Sequence, residues 1–248
     1  MTIALQDFLR DVVQHTQTLG GINFIRITGS QTSTEVDTVT DDNSVILKAQ
    51  TRESMPEFTS AIGLPNLAKL NTILNISEYR ENAAVTVTTE QRNGTTEPAG
   101  VLFVNQAGDF RNEYRFMSTA VINEKLKTVE FKREPNWSIS FSPAATSIQR
   151  LKFQASANSD EDCFTAQADG GNLKFYFGQV SSHAGDFVFQ NGVTGSIKRT
   201  WRWPVAPMIN ILSLPGDKIM KFSDDGCAQI VVDSGIAVYA YTIPALTK

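Results

Sequence analysis

The chain has 248 residues, with 22 basic against 26 acidic side chains and a net charge of −4, a mass of 27.3 kDa and a pI near 5.3. That balance excludes a basic nucleic-acid coat, while 41% hydrophobic and 19% charged residues give an ordinary soluble globular composition. A chain this long buries roughly 70% of the surface it exposes when unfolded, enough for one large core or two of ordinary size.

Residues 1 to 19, MTIALQDFLRDVVQHTQTL, carry Asp7, Arg10 and Asp11 inside their apolar pattern. The segment is therefore expected to be neither a signal peptide nor a membrane span, and the chain to be cytosolic. Leu5, Phe8, Leu9, Val12 and Thr16 share one side of a helix, with Asp7, Arg10, Gln14 and Gln17 opposite. INFIRIT, SVILKAQT and EFTSAIG follow as strands. Pro65 then opens a second helix, LPNLAKLNTILNI, in which Leu67, Leu70 and Leu74 fall together and Lys69 and Thr72 face away. AAVTVTTE, GVLFVNQ and EYRFMST complete the first set of strands, with a turn at Asn93-Gly94.

Residues 121 to 135, VINEKLKTVEFKREP, are charged and lack glycine, and read as an extended connector pinned on one side by Leu126, Val129 and Phe131. The expected domains are thus 1–120 and 136–248. In the second, WSISFS leads to a helix capped by Ser142, with Pro143 at its first position and Ala144, Ile148, Leu151 and Ala155 as its apolar stripe. CFTAQA, LKFYFGQ, DFVFQNG and IKRTWRW follow, then a helix from Pro204 with Val205, Met208, Ile211 and Leu212 on one side and Asn210 and Ser213 opposite. DKIMKFS, AQIVVD and AVYAYTI close the chain, joined by turns at Asp225-Gly226 and Ser234-Gly235. The paired helices start 140 (143 − 3) and 139 (204 − 65) residues apart, so the order of elements repeats. The fold class is α+β: two similar domains of antiparallel sheet, each with two short helices.

Little supports an enzyme. His15, at the edge of an apolar face, and His183, in a polar turn, read as boundary or surface residues, and no nucleotide loop, zinc motif or nucleophile elbow is present. Cys163 and Cys227 have neither zinc-knuckle nor redox spacing and fit a reducing compartment. Asp160, Glu161, Asp162 and the pair Asp41-Asp42 read as solvated turn acids, so no metal, cofactor or catalytic residue is assigned. Trp201 and Trp203 share one strand face, with Arg202 on the other, as a buried sheet face would place them. The helices at Pro65, Pro143 and Pro204 contain no acid, whereas Asp7 and Asp11 offset Arg10 on the first. Neutral-to-basic faces on an acidic protein suit a polyanion; so few residues also differ little from an ordinary solvated face.

The opening helix, LPNLAKLNTIL after a strand, SISFSPAATSIQRLKFQA followed by CFTAQADGGNLKFYF, and the closing AVYAYTIPAL together resemble the DNA polymerase sliding clamps. The likeness is to proliferating cell nuclear antigen (PCNA) and, in size and style, to the clamps of T-even-type bacteriophages. It implies a non-enzymatic homotrimeric ring around duplex DNA, whose helices line the hole and which tethers the replicative DNA polymerase. A clamp loader ATPase is implied as a second partner, and in the phage branch also late-transcription factors; no membrane is involved. By that resemblance Arg10, Gln14, Lys69, Arg150 and Lys152 face DNA. Tyr114 and Phe116 meet Phe175 and Phe177 at the subunit interface, through segments NEYRFMST and NLKFYFGQ. Leu126, Tyr241, Ile243 and Pro244 line a pocket for partner peptides. The alternative is a β-rich structural protein of a virion.

Overall fold

The computed structural model describes residues 3–92, 94–126, 135–169, 171–179 and 183–246. The chain divides into two compact units, the first comprising Met1–Asn43, Leu47–Val129 and Ser234–Tyr239, the second Ser44–Ile46, Glu130–Asp233 and Ala240–Lys248.

In the first unit, helix α1 (Leu5–Thr16) is followed by β1 (Phe24–Gly29), β2 (Thr34–Val39), β3 (Ile46–Thr51), β4 (Ala61–Pro65) and helix α2 (Leu67–Leu74). Next come β5 (Ala84–Arg92), β6 (Thr95–Val104), β7 (Arg111–Arg115) and helix α3 (Thr119–Lys125). The strands order β4-β1-β2-β3 in one sheet and β5-β6-β7 in another. Phe8, Leu9 and Val12 of α1 are fully buried, as are Ile25 and Ile27 of β1 and Leu70 of α2. The Phe8 and Phe58 rings meet at 5.6 Å.

The second unit holds β8 (Ile139–Phe141), α4 (Ala145–Ala157), β9 (Cys163–Asp169), β10 (Asn172–Gly178), β11 (Ala184–Asn191), β12 (Arg202–Pro204) and α5 (Val205–Leu212). It ends with β13 (Asp217–Ser223), β14 (Cys227–Asp233) and β15 (Ala237–Pro244), whose first residues, 237–239, belong to the first unit and lie beside β3. Its sheets order β11-β10-β9-β12 and β15-β14-β13-β8. An aromatic cluster forms the core: Phe164 and Phe175 at 4.5 Å, Phe175 and Phe189 at 4.4 Å, Trp203 and Phe222 at 5.0 Å.

Several details differ from the sequence expectations. Pro65 ends β4 one residue before the α2 cap, whereas Pro204 both ends β12 and is the N-cap of α5; α2 is capped by Asn66, which sits in the left-handed region and accepts from the Lys69 N–H at 3.1 Å. The α4 cap is Ala144, not Ser142, and only Leu151 of its stripe is buried outright. TEVDTV forms β2, which the sequence reading passed over because of its two acids. Trp203 is fully buried as expected, while Trp201 is half-buried and donates through Nε1 to the Asp224 carbonyl at 2.8 Å.

The expected extended connector begins instead as α3. Thr119 Oγ1 donates to the Ala61 carbonyl at 2.5 Å, and Ile122 is fully buried against Gly63, where an added Cβ would lie 3.0 Å from it. Arg26 holds the far end, pairing with Asp37 at 2.9 Å and donating to Asn123 Oδ1 at 3.2 Å and to the Leu126 carbonyl at 3.4 Å. Val129 and Phe131 lie outside the described residues.

His15 and Asp11, expected near the surface, are both buried. Asp11 Oδ2 accepts from Tyr239 Oη at 2.7 Å and Ser234 Oγ at 2.9 Å, and the His15 ring stacks on Tyr239 at 4.4 Å. These partners lie 223 and 228 residues away in sequence, so helical periodicity carried no sign of them.

Two outcomes are expected from this packing. Phe175→Ala removes the ring at the centre of the aromatic cluster and should cost about 3–5 kcal/mol in a denaturant titration. Asp11→Ala removes the acceptor of the buried Tyr239 hydroxyl and one acceptor of the half-buried Ser234 hydroxyl and should cost about 1–3 kcal/mol, whereas Asp7→Ala, on the exposed side of the same helix, should stay within about 0.5 kcal/mol of the parent.

Candidate nucleic-acid interface

Each unit contains a pair of helices that pack against one another, α1 with α2 and α4 with α5. Their buried apolar residues turn inward, which leaves the polar side to solvent, together with Phe153 on α4. On α2 the exposed residues are Ala68, Lys69 and Thr72; on α5 they include Ala206 and Asn210, with Ser213 exposed just beyond its end. On α4 they include Thr146, Gln149, Arg150, Phe153 and Ser156. None of these three helices contains an acidic residue. On α1 the exposed acid is Asp7 alone, because Asp11 is turned inward.

The residues expected to face DNA divide accordingly. Gln14 and Lys69 are exposed, and Lys152 is half-buried. Arg10 is half-buried, and its Nη2 donates to the Leu74 carbonyl at 3.2 Å, so it caps the C-terminus of α2, where a cation meets the negative end of the helix dipole. Arg150 is exposed but leans sideways: Nη1 donates to the Val188 carbonyl at 3.1 Å, and the guanidinium lies 5.3 Å from the centre of the Phe187 ring. Sequence reasoning missed Phe153, which is 63% exposed in the middle of the outward face of α4.

The residues expected at subunit contacts lie inside their units. Tyr114, Phe116, Phe175 and Phe177 are all buried within their own units; Tyr114 donates to the Pro65 carbonyl, and burial pushes its phenol well up from the usual range. Moreover β10, the strand that carries Phe175 and Phe177, is interior, flanked by β9 and β11. Among the described residues β11 lies at one end of that sheet and has β10 alone as a paired strand. On β7 the backbone groups of Phe116 and its alternate neighbours point to β6, as the Phe116 N–H to Ala99 carbonyl bond at 2.9 Å shows, so Arg111, Glu113 and Arg115 present theirs to the open side.

Charge along that edge is unevenly satisfied. Arg115 donates to Glu90 Oε2 at 2.8 Å and to Glu113 Oε1 at 3.1 Å. Hydrogen bonds from Arg115 and then Arg92 hold the Glu90 carboxyl below its ordinary range. Arg111 makes no such pair among the described residues.

The residues expected to line a partner-peptide pocket are mostly buried as well. Tyr241 and Ile243 are fully buried and Leu126 nearly so, which leaves Pro244 as the member with appreciable surface. An open groove of about 690 Å³ lies elsewhere, in the first unit, between Ser77, Glu78, Arg80 and Glu81 on one side and Asn105, Gln106 and Ala107 on the other. The Asn105 amide donates across it to Glu78 at 3.2 Å and, within its own loop, to Asp109 at 2.9 Å. Among the described residues no group of three or more His, Cys, Asp or Glu is placed to hold a metal ion, and no helix is long and apolar enough to cross a membrane. Both thiols are buried, and burial pushes that of Cys227 up to about 11.

No family model matches the chain, and no curated protein matches it. Solved structures do. The chain aligns over 98% of its length, with a TM-score of 0.68 and 10% identity, to 96% of a chain in the structure of the C-terminal region of FEN-1 bound to A. fulgidus PCNA. It aligns over 98% of its length, with a TM-score of 0.66 and 12% identity, to 98% of PCNA from Thermococcus kodakaraensis. This α+β chain of antiparallel sheets and short helices therefore has the fold of the PCNA sliding clamps.

Proposed function

We propose that this protein is a sliding clamp: three copies close into a ring around duplex DNA, with helices α1, α2, α4 and α5 of each chain turned toward the hole. The observation that carries the reading is the helical surface. Three helices without an acid, and a fourth whose second aspartate is turned inward, are an unusual allocation in a chain with four more acidic than basic side chains. Such a face attracts phosphates without base contacts, so it grips no particular sequence. The net negative charge meanwhile discourages binding of DNA to the remaining surface.

The function follows from closure. A ring linked topologically to DNA keeps any protein bound to it at high effective concentration along the template, so processivity needs no tight DNA contact. The replicative polymerase is the partner this serves, and opening the ring falls to a separate loader ATPase. Late-transcription factors are further partners if the source is a phage of the T-even type. The domain division 1–120, 121–135 and 136–248 belongs to this reading, with cytoplasmic action on DNA. Within it Lys69, Gln14 and Lys152 meet phosphates directly, while Arg10 lends its charge from the end of α2.

The test is retention on nicked circular duplex, with the loader ATPase of the same genome supplied. Clamp loaded onto circles should survive a high-salt wash and be lost when the circle is cut by a restriction enzyme. Lys69→Glu combined with Gln14→Glu should lower retention about tenfold by putting acids on the inner face. Equal retention on circular and linear DNA would contradict the proposal.

A further inference from the structure

We infer that β5 is a docking edge, at which an extended segment of the protein that the clamp tethers adds as an antiparallel strand, with an apolar residue opposite Val85, a polar one opposite Thr86 and an apolar one opposite Val87. This rests on the sliding-clamp reading and names a place where the tethered protein is held.

The second unit shows what such an edge takes when it is filled. In each unit the second helix leads into three consecutive strands, α2 into β5, β6 and β7, and α5 into β13, β14 and β15. The isolated bridge Gly63 to Met117 recurs as Arg202 to Leu246, an offset of 129 on the last strand (246 − 117), which carries Tyr114 to Ile243. Tyr114 lies opposite Val101. The Ser234 N–H to Ala237 carbonyl bond closes the turn between β14 and β15, and Gln229 donates to Thr242 at 3.2 Å, so Ile243 lies opposite Ala228. Ala228 is therefore the counterpart of Val101. Val87 pairs with Val101 and Phe222 with Ala228; two residues along, Val85 pairs with Phe103 and Met220 with Ile230. Val101, Phe103, Ala228 and Ile230 are all fully buried, as matched positions should be.

The two edges differ in what lies beside them. β8 runs along β13, with Phe141 opposite Met220, Ser140 opposite Lys221 and Ile139 opposite Phe222. Met220 and Phe222 are fully buried there, Ile139 is buried with them, and the Phe141 ring meets Phe189 at 6.0 Å, while Ser140 is exposed. Among the described residues no strand takes that place beside β5, and Val85 and Val87 are only half-buried. A strand reading apolar, polar, apolar would finish on β5 the burial that β8 finishes on β13.

The backbone is set for it. The Phe116 N–H to Ala99 carbonyl bond turns Ala99, Val101 and Phe103 toward β7, so Gly100, Leu102 and Val104 bond to Thr88, Thr86 and Ala84. Val85 and Val87 thus direct their N–H and carbonyl groups away from β6. The edge is also unguarded. β7 carries Arg111, Glu113 and Arg115, β11 carries Asp186 and β4 ends on Pro65, whereas Ala84 to Thr89 contains neither a charge nor a proline and is β-branched from Val85 onward. Backbone hydrogen bonds would supply the affinity for an added strand, and the alternate side chains its selection. Tethering needs a protein held on the clamp, and Tyr241, Ile243 and Leu126, the residues expected to hold it, are buried.

The test reads amide hydrogen exchange at Val85 and Val87 in the parent protein, alone and with a saturating excess of the replicative polymerase of the same genome. Both amides should exchange fast in the protein alone and about tenfold or more slowly with polymerase, while that of Thr86, already bonded to β6, changes little. Val87→Pro removes one outward donor at a position where an edge strand tolerates proline, and should weaken polymerase binding about tenfold; should that variant lose its fold, the exchange of the parent decides alone. Polymerase that binds but leaves both amides exchanging as in the protein alone overturns this docking edge and leaves the clamp standing. Slowing at both valines when the protein is concentrated without polymerase assigns the edge to a second copy and overturns the partner. A polymerase that does not bind at all overturns the tethering reading and the docking edge with it.

Discussion

A β-strand carries hydrogen-bonding groups on both edges, and each edge has to be met by another strand, by side chains or by water. In this protein that requirement is met inside the first unit where β3 receives the opening residues of β15, and among the described residues no strand meets the outer edges of β11 and β7, where the same two elements recur. A duplicated chain with one such joint closed and its equivalent open is suited to head-to-tail association with copies of itself, and a heterologous contact of that kind ends in a ring when its rotation closes.

Charge placement follows the same division of labour. The acids gather on turns and strand faces, as at Asp160 to Asp162 and Glu90, while α2, α4 and α5 carry none. Even the aspartate that would spoil the first helix is spent internally, where Asp11 fastens Ser234 and Tyr239 to α1. Burying a carboxylate is costly unless hydrogen bonds replace its hydration, and this one receives two from hydroxyls. One residue thus serves packing and, by its inward turn, the neutrality of the outer face.

The sequence made the regular parts legible and the tertiary parts not. The leucines of LAKLNTIL and the apolar residues of VAPMINIL showed both short helices, because burial on a sheet imposes helical spacing directly. Their prolines misled by a residue or two, since a proline that ends a strand looks the same as one that begins a helix. β2 escaped because Glu35 and Asp37 dilute its alternation, and α3 because its seven residues are held by Arg26, Ala61 and Gly63 from other elements. The burial of the aromatics named by the family resemblance was not legible: alternating aromatics read alike in β10 and β11, and nothing local says which strand has a neighbour on both sides. The polar faces of the helices were legible from composition, but the sideways lean of Arg150 and the capping role of Arg10 depend on groups far along the chain.

The central claim is geometric: chains of this protein close into a ring whose hole admits duplex DNA. Negative-stain electron microscopy of the purified protein tests it most directly. The account expects class averages of closed rings, six similar lobes around a central hole wide enough for a duplex. Open filaments, or compact particles without a hole at every concentration sampled, would contradict it.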